Sequence, residues 1–245
     1  MSYLTRHSAP ARPALRLVCF PHAGGGASFF RSWPAHLDPS TELLAVQYPG
    51  RENRFREPLV PDLATLADAV AEHLRPLPPL PTVLFGHSMG AAVAYETLLR
   101  LEAAGDSPVL RLCVSGRAPD TAPGPGDHTD EQLVRTVQEL GGTQAAVLDD
   151  PDLRELLLPI IRNDYRLIDR YRRSPDAPRL RADLLALTGD RDPQVTVEQA
   201  RGWAATTDGA FSLHVLAGDH FYLVPAAAEV ARLAASVYPS TAGNT

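Results

Sequence analysis

Six short apolar runs, most of them separated by stretches with helical spacing, limit what this chain can fold into more than any other feature. They are Leu15–Phe20, Leu43–Gln47, Thr82–Phe85, Leu110–Ser115, Leu184–Thr188 and Phe211–Leu216. Most are continuous rather than alternating, as strands are when both faces of a parallel sheet are covered. Between them, Leu63, Leu66, Val70 and Leu74 share one face of a helix that opens with Pro61-Asp62. Met89–Ala104 is rich in alanine and leucine, and Val195–Thr207 and Val224–Tyr238 complete the helical set. Strand and helix in alternation predict an α/β fold built on a mostly parallel, doubly wound sheet flanked by helices. A chain of 245 residues, 44% hydrophobic and 21% charged, suits one such domain spanning residues 1–245.

One segment breaks the rhythm. After the fourth run comes "GRAPDTAPGPGDHTD", dense in Pro, Gly and Asp, which reads as a loop. Two helical patterns, "EQLVRTVQELGG" and "PDLRELLLPIIRNDYRLIDRYRR", then precede the fifth run. Roughly fifty residues of helix exceed a simple crossover, which needs only about 10–12. The insertion is expected to form a helical lid over the strand ends, where open α/β sheets bind their ligands.

Composition removes several classes of function. Net charge is -6, which leaves no footprint for nucleic acid. All 23 basic side chains are arginine, so neither a lysine Schiff base nor a P-loop lysine is available. Cys19 and Cys113 both lie inside apolar runs and read as buried thiols in a reducing compartment. The amino-terminal stretch "MSYLTRHSAPARPA" lacks an apolar signal region, and no run of about 18 apolar residues occurs to span a membrane. A cytoplasmic protein is expected, and nothing in the sequence demands more than a monomer.

The chemistry centres on "LFGHSMGAA". A serine hydroxyl is a weak nucleophile until a base takes its proton, and it must project where an acyl group can reach it. A sharp strand-to-helix turn supplies that projection, but it crowds the backbone, so the positions two before and two after must be small. Gly86 and Gly90 meet that demand around Ser88, between a plausible strand and a plausible helix. On this topology a carboxylate and then a histidine follow the serine in the chain. His220, in "LAGDHFYLVP", falls on the loop after the sixth run and is the expected base; His214 lies within that run. In "LLALTGDRDPQV", Asp192 is the preferred carboxylate and Asp190 the alternative, which otherwise braces the turn. Asp219 reads as a loop-stabilising group.

An oxyanion hole needs backbone N–H donors aimed at the developing negative oxygen. Met89, directly after the serine, supplies one. The glycine-rich turn in "VCFPHAGGGASFF" supplies the other, from Ala23 or alternatively Gly24. His22 precedes the serine in the chain, so a structural hydrogen bond within this loop is its expected use. The histidines and carboxylates have no metal-ligand spacing, and neither metal nor cofactor is predicted.

Taken together, "FPHAGGGASFF", "QYPGRENRF", "FGHSMGA", "LTGDRDP" and "LAGDHFYL" resemble the type II thioesterases, stand-alone α/β-hydrolases that accompany polyketide synthases and nonribosomal peptide synthetases. The resemblance runs from about Leu15 to Val237. It implies an α/β-hydrolase fold, a helical lid over about Asp120–Pro178, and a Ser88, Asp192, His220 triad with oxyanion donors at Ala23 and Met89. It also implies an activity: hydrolysis of stalled or aberrant acyl groups from the phosphopantetheine arm of carrier proteins. Leu140, Leu157, Leu158 and Ile161 are candidates for the inner face of the lid. Arg166, Arg170, Arg172 and Arg173 form either a docking patch for an acidic carrier or a solvated helix face. The same catalytic residues would also serve a general carboxylesterase, an acyl-CoA hydrolase or a serine acyltransferase. A catalytically silent binding protein is the reading from a different class.

Overall fold

The computed structural model describes residues 2–105, 107–122, 124–140 and 148–236. Its sheet has seven strands: β1 Leu4–Ser8, β2 Leu15–Phe20, β3 Thr41–Val46, β4 Thr82–His87, β5 Val109–Ser115, β6 Asp183–Gly189 and β7 Phe211–Leu216. In space they run β1-β3-β2-β4-β5-β6-β7. Every neighbouring pair is parallel except β1 with β3. The chain passes from β2 to β3 on one side and then returns to place β4 on the other. The β2/β4 boundary is therefore the switch point of the sheet, and a crevice opens at the carboxyl ends of these two strands.

All six apolar runs are strands. The continuous runs divide by alternate residues, as the two-residue period of a strand requires. Val18, Phe20, Leu44, Val46, Leu84, Leu112 and Val114 feed one core cluster, together with Leu63, Leu66, Val70 and Leu74. Leu17, Cys19, Leu43, Ala45, Val83, Phe85 and Cys113 feed the other, with Phe30, Trp33 and Val230. Both cysteines are buried and free. Strand β1 carries no such apolar run. It is an antiparallel edge strand, half-buried along most of its length, so it needs only weak hydrophobic patterning.

Helix α1 (Leu63–Leu74) starts where Asp62 accepts a hydrogen bond from the Thr65 amide, and α2 (Met89–Ala103) follows β4 directly. Between β5 and β6 lie α3 (Asp130–Leu140) and α4 (Pro151–Arg170). They share a separate apolar cluster of Leu133, Val137, Leu148, Leu158 and Ile161. The pattern expected over Val195–Thr207 is shorter as an α-helix. Thr196 and Gln199 form a capping box that starts α5 at Val197, and from Gly202 the chain tightens into a 3₁₀ helix ending at Thr206. Helix α6 spans Ala227–Ala235 rather than beginning at Val224, because residues 221–226 are folded into turns. Val237 and Tyr238, read as its end, lie outside the described residues, as do the two glycines closing "EQLVRTVQELGG". Among the described residues no helix is long and apolar enough to cross a membrane.

Candidate active site

Ser88 sits between β4 and α2 with φ 53° and ψ -118°, a left-handed conformation that a residue with a side chain rarely adopts. The turn leaves no room beside it. A Cβ added to Gly86 would lie 2.2 Å from the Gly90 carbonyl oxygen, and one on Gly90 would lie 2.1 Å from the Phe20 carbonyl oxygen. Glycine at both positions is thus a requirement of backbone contact between β2, β4 and the start of α2. The Ser88 amide donates to Ser115 O at 2.8 Å, which ties the elbow to the end of β5. The Met89 N–H is the first of α2, ahead of the helix's own hydrogen bonds.

His220 and Asp192 meet at the ends of β7 and β6. The imidazole Nδ1 lies 2.9 Å from Asp192 Oδ2 and 3.1 Å from Oδ1, with both side chains buried. The Gln194 amide also donates to Asp192 Oδ1, at 2.9 Å. The carboxylate therefore has two donors and fixes which edge of the ring is turned away. Ser88 and His220 flank one corner: a Cβ on Gly116, the residue after Ser115, would lie 3.2 Å from His220 Cε1. Among the described residues no hydrogen bond joins Ser88 Oγ to His220. Such contacts often tighten only when substrate is bound.

The other candidates have separate places. Asp190 is half-exposed and accepts from the Gly218 amide at 2.8 Å, bracing the loop that carries His220. Asp219 accepts from the Phe221 amide at 2.9 Å. His214 is exposed on β7. The side-chain hydrogen bond expected of His22 is not found: its Nδ1 is buried with no partner among the described residues. Its ring instead packs edge-on against Phe29 and Phe221 and faces the backbone of Gly25. Burial, with smaller contributions from His220 and Arg51, pushes His22 down to about 3. His87, whose ring centroid is 4.9 Å from that of His220, is also held well below its ordinary value, chiefly by burial. Both rings are therefore neutral near pH 7, and neither adds a fixed positive charge beside His220.

The turn after β2 is braced from outside. The Gly24 amide, weighed as an alternative oxyanion donor, is already occupied: it donates to Asp164 Oδ2 at 2.7 Å. The Ala23 amide has no partner among the described residues. Arg51 donates to Asp164 at 2.5 and 2.8 Å and to Gly25 O at 3.0 Å. Gln47 accepts from the Ala27 amide, and Glu52 from Ser28. The segment "QYPGRENRF" thus clasps the glycine-rich turn. Arg51 lies in a motif that carries the resemblance, but the sequence assigned it no role, and Asp164 was not singled out. The available signal was a carboxylate on the apolar stripe of α4, in register with Ile160, Ile161 and Leu167.

Two cavities meet this turn. Ser88 opens on one of about 270 Å³, lined also by Ala23, Arg117, Tyr165, Asp169 and Gln194. A larger apolar one of about 680 Å³ lies between the turn and α4, lined by Phe29, Trp33, Leu156, Leu157 and Ile160 among others. Leu158 and Ile161 join α4 to α3, whereas Leu157 touches both that cluster and the large cavity. Leu140 is buried. Of the four arginines, Arg166 pairs with Asp127, Arg173 pairs with Asp120, and Arg172 donates to main-chain carbonyls. Three of the four are thus committed within the chain.

The model of the thioesterase domain matches residues 15–237. A probable cadicidin biosynthesis thioesterase from Streptomyces griseus is 47% identical over 223 residues, covering 90% of this chain and 62% of that protein. The thioesterase PikA5 from Streptomyces venezuelae is 41% identical, covering 89% of this chain and 78% of its own. The chain thus spans less than two thirds of the first relative's length. The solved structure of the type II thioesterase BorB, from the borrelidin biosynthetic cluster, superposes with a TM-score of 0.87 at 42% identity, covering 97% of this chain and 98% of BorB. A lipase-esterase related protein from Clostridium acetobutylicum, at 16% identity and a TM-score of 0.71, shares the fold alone. With its motifs, its parallel sheet and nearly its whole length matched, this chain belongs to the thioesterase family, among the type II thioesterases.

Proposed function

We propose that this protein hydrolyses acyl thioesters carried on the phosphopantetheine arm of polyketide synthase or nonribosomal peptide synthetase carrier proteins, releasing stalled or aberrant chains. The observation that carries the chemistry is the buried His220–Asp192 pair beside a strained serine elbow. Ser88 Oγ attacks the thioester carbonyl while His220 Nε2 takes the hydroxyl proton. Asp192 holds the imidazole in the required tautomer and stabilises its protonated form without taking the proton. The Ala23 and Met89 amides donate hydrogen bonds to the negatively charged tetrahedral oxygen. The carbon–sulfur bond then breaks, and His220 returns the proton to the departing pantetheine thiolate. A water molecule attacks the acyl-enzyme, giving its proton to His220, and the collapse of the second adduct restores Ser88 and frees the carboxylic acid. No cofactor enters these steps.

The segment Asp120–Pro178 serves in this reading as a lid, and the apolar cavity beneath α4 as a place for acyl chain. The cytoplasm is the proposed site of action, in keeping with two free thiols, and a monomer suffices. The test is mass spectrometry of the protein mixed with a panel of acyl-carriers, alongside turnover on the matching acyl-CoA and oxygen ester. A mass adduct on Ser88 and release of free acid from the carrier are expected. Ser88→Ala should abolish the adduct and lower kcat by about a million-fold. Faster turnover of the simple ester than of the carrier thioester rejects the carrier assignment, and transfer to an added alcohol or amine points to an acyltransferase.

A further inference from the structure

We propose that the buried Arg51–Asp164 pair is a positioning device for the oxyanion hole, through which the long inserted helix α4 takes part in catalysis; it rests on the assignment of Ala23 as an oxyanion donor. The geometry is specific. Asp164 projects from α4 and is 1% exposed, yet its carboxylate bonds to a turn 140 residues earlier in the chain. It accepts from the Gly24 amide and from two nitrogens of Arg51, itself 5% exposed. Arg51 in turn donates to Gly25 O.

These contacts determine where the Ala23 N–H points. The His22 carbonyl and the Ala23 N–H belong to one planar trans peptide and face opposite ways. The His22 carbonyl accepts from the Gly25 amide at 3.0 Å, so the orientation of that peptide follows the position of Gly25. Gly25 is held through its own carbonyl by Arg51, and the Ala23–Gly24 peptide is held through the Gly24 amide by Asp164. Glycine at 24 has φ 77° and at 25 carries no side chain, so the turn has little stiffness of its own. An oxyanion donor stabilises the transition state only if it is already aimed before the charge develops. The ion pair supplies that rigidity from outside the turn.

Removing one partner alone would leave the other charged and buried, so that a lost rate could reflect general destabilisation. The primary variant therefore replaces both together, Arg51→Met with Asp164→Leu, since apolar substitution of a whole buried pair often preserves stability. Ser88 is labelled with a fluorophosphonate, whose phosphoryl oxygen must occupy the same amides, and melting temperature is measured in parallel. The expected result is a folded variant labelled about 10- to 100-fold more slowly. Acyl-enzyme formation and breakdown on an acyl-pantetheine thioester should slow by similar factors with little change in KM, because both steps use the hole. A folded variant labelled at the wild-type rate, or a loss confined to KM, overturns the proposal and leaves the pair as a mere anchor for α4. Should the double variant not fold, Asp164→Asn takes its place. It keeps an oxygen for the Gly24 amide, so it should retain more labelling than Asp164→Ala, and equal rates in the two count against the proposal. Labelling does not depend on the acyl substrate. Wild-type protein that labels but ignores acyl-carriers refutes the functional assignment while leaving this test readable.

Discussion

Asp190 and Asp192 stand two residues apart on the same loop, and the structure gives them opposite surroundings. Asp190 is solvated and holds the Gly218 amide, whereas the Asp192 side chain is fully buried against His220. Asp192→Asn should lower kcat about ten-thousand-fold, because an amide favours the wrong tautomer of the imidazole. Asp190→Asn keeps an oxygen for the Gly218 amide and should stay within about tenfold of wild type. Steady-state kinetics of the two variants side by side checks both, and comparable losses would make the loop brace as important as the pair. That Asp192 rather than Asp190 lies against His220 agrees with the sequence, in which Gly189 and Asp-Pro mark where the chain turns outward. The role of Asp164 was not legible there. It depends on a partner 113 residues away, and no local pattern encodes which arginine will lie beneath which helix. For the same reason Gly24 stayed open as the alternative to Ala23, and only the structure shows its amide occupied by Asp164.

At the scale of elements, apolar runs located the parallel strands well, since a strand covered on both faces announces itself by composition. Edge strand β1 escaped because one sheet neighbour and partial exposure ask little of its side chains. Helix ends were set by caps and turns rather than by periodicity, as Thr196 and the turns before Ala227 illustrate. The insertion between β5 and β6 was legible as helix, and its separate cluster has an energetic consequence. Leu158 is 5% exposed and packs with Leu133, Val137 and Ile161, apart from the two clusters that cover the sheet. Truncating it removes contacts worth about 2–5 kcal/mol, but only from the α3–α4 pair. Leu158→Ala should therefore speed amide exchange in α3 and in α4 before it does so in β4 or β5. Hydrogen exchange read by mass spectrometry distinguishes this from uniform loosening, which would mean that the insertion and the sheet unfold as one unit.

For the whole molecule, the carboxyl end of the sheet gathers three imidazoles, with His87 6.1 Å from His22 and 4.9 Å from His220 between ring centroids. Burial, together with the neighbouring charges of His220 and Arg51, takes His22 from 6.5 to about 3, and burial keeps His87 well below 6.5. The unfolded chain, by contrast, protonates both near 6.5. Above that pH neither state carries the extra protons, and these two residues leave stability independent of pH. Below it the unfolded state binds protons that the folded state refuses, so stability falls as the pH drops from 6.5 toward about 3 for His22. Each such histidine contributes up to about 1.4 kcal/mol per pH unit in that window. Against a total stability of about 5–15 kcal/mol, two of them make mild acid a serious threat to the fold. Unfolded carboxylates titrate near 4, so the interval from about pH 5 to 6.5 isolates the histidines. Urea denaturation across that interval should show stability declining on acidification, with a plateau above it. His87→Gln can keep a hydrogen bond to Ser115 while losing the titrating group, and its decline should be shallower by about one proton. An undiminished slope in that variant would mean that His87 takes up its proton inside the folded protein, and the ring next to His220 would then be charged during turnover in mild acid.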